Sequence, residues 1–296
     1  MGNPTAVIDW ILTTECNMTC PYCLMGKHKK STEVSAVDLR FIETISGTNI
    51  FLFHLTGGEP FIVKNFPDIC CRLQQNGHWV SVNTNLICSP SSFVEKVDPS
   101  RVAYVNCSLH YWLRKEHMAP FRRHFEALSS AGFFAFITLV ADPLCFDEIY
   151  EFVTKECKDL PVYLKLMRGV CHGQSYPAGY TVWQQACISQ VAQHTASQLS
   201  RRNPEHFDML LRYGMSIDDF RMGIIPEADA ICIDGHHYLR ITETGEIEGC
   251  QGAVLGNIAQ GVVRHLNLEC PYKIAVSECK HLCARYYEKS RSGASD

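Results

Sequence analysis

Cys16, Cys20 and Cys23 stand on one tight loop in a C-x3-C-x2-C spacing, just after the strand-like run from Ala6 to Thr14. Three thiolates so spaced can hold three corners of a cubane iron–sulfur cluster and leave the fourth iron open to a small molecule. A structural zinc ion, with His28 as fourth ligand, competes for the same thiols. Closed zinc sites usually pair two short cysteine hooks, whereas this trio stands alone at a strand end.

Strand and helix signals alternate after that loop. Ser35 to Ile45 reads as a helix, with Ser35 as its cap and Leu39, Ile42 and Ile45 on one face. Ile50–Leu55 reads as a buried strand running into Thr56-Gly57-Gly58-Glu59-Pro60. A helix over Phe66–Gln75, a strand Trp79–Val82 ending in Asn83-Thr84-Asn85, and a strand Val102–Cys107 ending in Ser108-Leu109-His110 follow. Then come a helix Phe121–Ala131, a strand Phe133–Val140 stopping at Asp142, a helix Phe146–Lys155 and a strand Val162–Met167. The alternation predicts an α/β fold of parallel βαβ units, in which chemistry gathers at the carboxyl ends of the strands. Each polar cluster just named falls at such an end. The Cys171-His172-Gly173-Gln174 stretch reads as a loop, Val182–Ser200 as a long closing helix, and Arg201–Gly223 as a connector with one further short helix.

Composition narrows the partners. Hydrophobic residues at 46% and charged residues at 20% describe an ordinary globular chain of 296 residues. Its net charge of −4 and lack of a basic stripe argue against nucleic acid. No apolar run approaches the roughly 20 residues of a membrane span. No signal peptide is legible, so the expected location is cytoplasmic. In a reducing compartment sixteen cysteines predict ligation for those in clusters. Scattered ones such as Cys70, Cys88 and Cys145 read as small core residues.

The cysteine loop with Tyr22 before its third thiol, followed by Gly57-Gly58-Glu59-Pro60 after the next strand, resembles the radical S-adenosylmethionine (SAM) superfamily. The resemblance implies a partial (β/α)6 barrel over about residues 5–200, with Cys16, Cys20 and Cys23 holding a [4Fe–4S] cluster whose open iron binds SAM. It further implies that Tyr22 stacks on adenine and that Gly57, Gly58 and Glu59 contact the methionine end, with Glu59 on the amino group. Asn83, Asn85, Ser108 and His110 would line the ribose and methionine side. An external one-electron donor such as flavodoxin or ferredoxin would drive the chemistry.

The chain changes character near residue 226. Cys232, Cys250, Cys270, Cys279 and Cys283 fall within 52 residues, around a hairpin over 238–247 with Gly245 at its turn. This resembles the SPASM and twitch modules that carry auxiliary [4Fe–4S] clusters, the twitch type fitting five cysteines better. The implied organisation is a barrel over 1–200, a connector over 201–225 and a small cysteine-rich module over 226–296. A second cubane uses four thiolates, which leaves one cysteine spare. Either Cys250 follows the usual twitch pattern as a ligand and Cys270 is spare, or Cys232, Cys270, Cys279 and Cys283 bind and Cys250 is a free thiol.

A free thiol could return a hydrogen atom to the opposite face of a substrate radical and so invert a stereocentre. Size and cysteine layout resemble the radical SAM epimerases of aminoglycoside biosynthesis. That resemblance implies an isomerase with Cys250 as hydrogen donor and a polycationic aminoglycoside substrate. Glu15 and Asp142 are the expected substrate carboxylates, with Asp218, Asp219, Asp229 and Asp234 as looser candidates. The alternatives are a twitch-type dehydrogenase of an aminocyclitol and a peptide-modifying enzyme. A cluster loop beginning at residue 16 is expected to leave no room for a leader-binding domain, which counts against the peptide.

Overall fold

A computed structural model describes residues 2–4, 6–23, 50–114, 118–171, 173–214, 230–232, 238–249, 254–258, 262–263 and 287–289. The helix expected over 35–45, His28, and Cys250, Cys270, Cys279 and Cys283 lie outside them.

The core is one sheet of ten strands. Its centre comprises β1 (Ala6–Thr13), β2 (Phe51–Gly57), β3 (Trp79–Thr84), β4 (Val102–Leu109), β5 (Ala135–Val140) and β6 (Val162–Lys165), in that spatial order and all parallel. These are the six parallel strands expected of the partial barrel. Each strand is a nearly unbroken apolar run because both faces are covered. Between them lie the helices α1 (Phe66–Gln75), α2 (Ser91–Lys96), the short α3 (Tyr111–Arg114), α4 (Met118–Ser130) and α5 (Phe146–Glu151). α5 runs on as a π-helical turn over Phe152–Glu156, within the helix expected to reach Lys155. α1 buries Phe66, Ile69, Cys70 and Leu73, the i, i+3, i+4, i+7 stripe of a helix with one face on a sheet.

Period-two alternation divides the sheet's side chains between two cores. Ile8, Trp10 and Leu12 with Phe51, Phe53 and Leu55 pack into the larger core, which also takes the apolar faces of α1 and α4. The intervening Val7, Leu52, Tyr104, Phe136 and Tyr163 join a smaller core on the other face. There α6 (Val182–Arg202) and α7 (Pro204–Tyr213) close the inner side with Ala192, Leu199, Met209 and Leu210. Along the inner face the strands change character toward their carboxyl ends. Leu52 gives way to His54 and Thr56, Trp79 to Ser81 and Asn83, and Tyr104 to Asn106 and Ser108. The fold thus has an apolar floor and a polar mouth.

Three features depart from expectation. α2 is a helix for which the sequence reading had no assignment. The loop at 171–174 joins a two-stranded hairpin, β7 (Gly169–Cys171) with β8 (Gln174–Tyr176). The hairpin assigned to a separate C-terminal module, β10 (Tyr238–Ile241) and β11 (Glu246–Glu248), extends the barrel sheet, because β10 pairs in parallel with β1. Gly245 turns that hairpin with φ of +79°, as its sequence predicts. β12 (Val254–Asn257) and β13 (Val262–Val263) continue the sheet, and β9 (Ala230–Cys232) pairs apart from it with β14 (Tyr287–Lys289). Among the described residues no helix is long and apolar enough to cross a membrane.

Candidate active site

The cysteine loop leaves β1 at the polar mouth, where Cys20 O accepts from Cys23 N at 3.1 Å to turn the loop. The Gly57-Gly58 pair at the end of β2 lies against the root of that loop. Gly58 N donates to Thr13 O at 2.7 Å and Glu59 N to Glu15 O at 2.8 Å. A Cβ on Gly57 would sit 2.2 Å from Thr13 O, and one on Gly58 1.9 Å from Glu15 O. Gly57 also holds φ of +137°, which side chains rarely adopt. The close approach anticipated for these glycines is therefore made to the chain's own backbone, and it locks the two strand ends together.

Glu59 is turned inward and has no solvent exposure. Its Oε1 accepts from Phe61 N at 2.9 Å and from Thr84 Oγ1 at 2.8 Å, and its Oε2 accepts from Asn85 N at 2.6 Å. A buried carboxylate is tolerated where donors meet its lone pairs. The side chain expected to meet an ammonium group is thus committed to internal donors and lies behind the cavity wall.

The other residues expected at the cofactor converge. Cys16, Cys20, Cys23, Tyr22, Gly57, Gly58, Asn83, Asn85, Ser108 and His110 line one cavity of about 250 Å³ at the carboxyl ends of the strands. The Tyr22 hydroxyl lies 3.0 Å from His110 Nδ1, with the rings 5.8 Å apart and 28° from parallel. Asn106, Thr138 and Lys165, which sequence reasoning did not single out, line the same space together with the strand-end residues Thr56 and Arg168. The signal of the first three was present: a polar residue at an inward position of an otherwise apolar strand.

A directed hydrogen-bond ladder crosses this wall. Thr138 Oγ1 donates to Asn106 Oδ1 at 2.8 Å, Asn106 Nδ2 to Asn83 Oδ1 at 2.9 Å, and Asn83 Nδ2 faces His54 Nε2 at 2.8 Å. Nε2 is then an acceptor, so the His54 proton sits on Nδ1 and points to Ser81 Oγ at 2.8 Å. Every rung fixes the next side chain's orientation, which leaves a rigid wall of amides and hydroxyls.

The substrate carboxylates expected from sequence border the site. Glu15 is half-buried and joins the loop root through its backbone, and Asp142 accepts from Leu144 N at 3.0 Å. Neither lines the cavity, whose described wall carries the cations Lys165 and Arg168. Cys232 is described only through its backbone pairing with Tyr287.

The three thiols of the loop stand close to one another. Burial raises the Cys16 thiol above its ordinary range, and burial followed by the neighbouring Cys16 and Cys23 raises Cys20 to about 11. Thiols that raise one another are close, and a cubane takes each cysteine on a different iron. Loading it would deprotonate the thiols and release protons.

Residues 10–132 match the Radical SAM superfamily model. Over 100 residues the chain is 21% identical to a PqqA peptide cyclase from Granulibacter bethesdensis, covering 33% of this chain and 27% of that protein. Its fold is similar to Streptococcus suis SuiB bound to precursor peptide SuiA, at TM-score 0.55 and 14% identity, covering 82% of this chain and 59% of that one. It is also similar to anSMEcpe with bound AdoMet and the Kp18Cys peptide, at TM-score 0.57 and 14% identity, covering 85% and 78% of the two chains. The chain therefore spans about a quarter of the cyclase and under two thirds of SuiB. The family match starts within β1 and takes in both the cysteine loop and the Gly-Gly-Glu turn, so the likeness to the Radical SAM superfamily rests on residues 10–132.

Proposed function

We propose that the protein is a radical SAM enzyme. The observation that carries this reading is the convergence of Cys16, Cys20 and Cys23 with Tyr22, the Gly57-Gly58 turn and His110 on one cavity. A [4Fe–4S] cluster on the three cysteines, with SAM on its open iron and an electron from a flavodoxin- or ferredoxin-like donor, would supply a 5′-deoxyadenosyl radical that takes a hydrogen atom from substrate carbon. The chain's own part is to hold and orient. Tyr22, kept neutral because burial pushes its hydroxyl's pKa up, offers a ring to the adenine. Gly57 and Gly58 shape the methionine end, Asn83, Ser108 and His110 supply polar contacts, and Glu59 braces them from behind.

At finer grain we read it as an epimerase that inverts one C–H stereocentre of an aminoglycoside sugar, of the neomycin C to neomycin B kind. Cys250 S–H would give its hydrogen atom to the far face of the substrate radical. The resulting thiyl would be reset by one electron from the external donor and one proton from solvent. Support comes from the fifth C-terminal cysteine and the resemblance in layout. The remaining four, Cys232, Cys270, Cys279 and Cys283, would hold a second [4Fe–4S] cluster.

A second reading is peptide modification or a dehydrogenation with Cys250 as an auxiliary-cluster ligand. The peptides bound to SuiB and anSMEcpe agree with this reading.

Turnover of neomycin C in deuterated buffer separates them. Deuterium on carbon in an inverted product supports the epimerase. SAM cleavage with no carbon-bound deuterium and a two-electron-oxidised product overturns it in favour of the dehydrogenase. No reaction on neomycin C, with turnover of a peptide, favours peptide modification.

A further inference from the structure

The geometry points to Asn85 as a positioning residue that donates a hydrogen bond to the Cys16 sulfur and thereby raises the reduction potential of the cluster bound there. This rests on the proposed cluster at Cys16, Cys20 and Cys23. Asn85 is 5% exposed, and its side-chain orientation is fixed by its neighbours. Ile87 N donates to Asn85 Oδ1 at 2.9 Å, so the Nδ2 end faces the cysteine loop. There it reaches Asn17 Oδ1 at 2.7 Å and Cys16 Sγ at 3.7 Å, within reach for a sulfur acceptor.

The backbone beneath is pinned as well. Glu59 Oε2 accepts from Asn85 N at 2.6 Å, and Leu86 holds φ of +56° with its N–H on Thr84 Oγ1 at 2.9 Å. Glu59 thus joins the ends of β2 and β3, while its own N–H holds the root of the cysteine loop through Glu15 O. One buried carboxylate sets where the Asn85 amide points.

An N–H dipole aimed at a ligand sulfur stabilises negative charge there. Reduction adds negative charge to the cluster and its sulfurs, so the contact favours the reduced form. The buried Glu59 carboxylate opposes this, and its contact with Asn85 is through the backbone N–H.

The test is a redox titration of the full reconstituted chain, followed by electron paramagnetic resonance of the signal that changes when SAM is added. Asn85→Asp keeps the shape and the acceptor for Ile87 N but replaces the donor with an anionic oxygen. Asn85→Ala removes the donor. The expected result is wild-type iron content with a more negative midpoint in both, further in Asn85→Asp. An unchanged midpoint in iron-replete Asn85→Ala overturns the inference. If Asn85→Asp fails to take up iron, Asn85→Ser, whose shorter hydroxyl falls short of the sulfur, is expected to load with a midpoint as negative as that of Asn85→Ala, and a wild-type midpoint in Asn85→Ser overturns the inference. A wild-type protein without a SAM-responsive signal defeats the proposed function instead, so the two failures are distinguishable.

Discussion

Tyr22 and His110, separated by 88 positions, meet at the barrel mouth with the tyrosine hydroxyl 3.0 Å from the histidine Nδ1. One comes from the cysteine loop after β1 and the other from the end of β4, so their contact ties the loop to the opposite side of the cavity. Tyr22→Phe keeps the ring and removes the hydroxyl. One such hydrogen bond contributes about 0.5–1.5 kcal/mol, so SAM affinity is expected to fall by roughly two- to tenfold. Tyr22→Ala, which also removes the stacking surface, is expected to weaken binding further. Anaerobic calorimetry with SAM measures both, and a Tyr22→Ala protein that binds as tightly as wild type contradicts Tyr22 as the adenine platform.

The two glycines at the end of β2 and the glycine after α1 make a controlled comparison. Gly58→Ala would drive a methyl group into Glu15 O, a backbone atom with nowhere to retreat. Overpacking of this kind destabilises by about 1–3 kcal/mol or more, and iron retention is expected to fall with it because the cysteine loop is rooted there. Gly77 has φ of +83° but nothing within 4 Å of a new Cβ. Gly77→Ala therefore carries only backbone strain, roughly 1–2 kcal/mol, with normal iron content. Denaturant midpoints together with iron counts on the two variants decide it.

His78 supplies a pH dependence separate from the site. It is buried among Phe51 and Phe53 and accepts from Phe51 N at 3.3 Å through Nδ1. Burial, then the nearby Arg101, lowers its pKa from 6.5 to about 4. The unfolded chain thus binds this proton first as pH falls. The histidine's contribution is fully present above pH 6.5 and is lost as pH falls through the window down to about 4. By linkage the loss at pH 4 is on the order of 2–3 kcal/mol. His78→Asn, which keeps an acceptor, is expected to be less stable than wild type at pH 7 and to show a shallower loss between pH 6.5 and 4. An equal slope in both proteins contradicts the assignment.

Much of this arrangement was legible in the sequence, for identifiable reasons. The six central strands are long apolar runs bounded by polar ends, and a helix such as Phe66–Gln75 carries its stripe openly. The cysteine loop and the Gly-Gly-Glu turn announce themselves by spacing. Asn106 and Thr138 were passed over because polar residues inside apolar strands look like interruptions until alternation places them on the inner face. The inward turn of Glu59 depends on Thr84 and Asn85, two strand-end residues that sequence alone does not bring to it. The pairing of β10 with β1 joins segments more than 200 residues apart, and local pattern carries no register for so distant a partner. The inward cation Lys165 likewise emerged only when the end of β6 was placed beside the cysteine loop.

The most direct test reconstitutes the full chain without oxygen, reduces it, supplies SAM, and counts iron and 5′-deoxyadenosine in wild type and in Cys20→Ala. The account predicts that wild type forms 5′-deoxyadenosine, and that Cys20→Ala loses about four irons and all product. A wild-type protein that holds its cluster yet leaves SAM intact, or a Cys20→Ala protein that cleaves SAM at the wild-type rate, contradicts it.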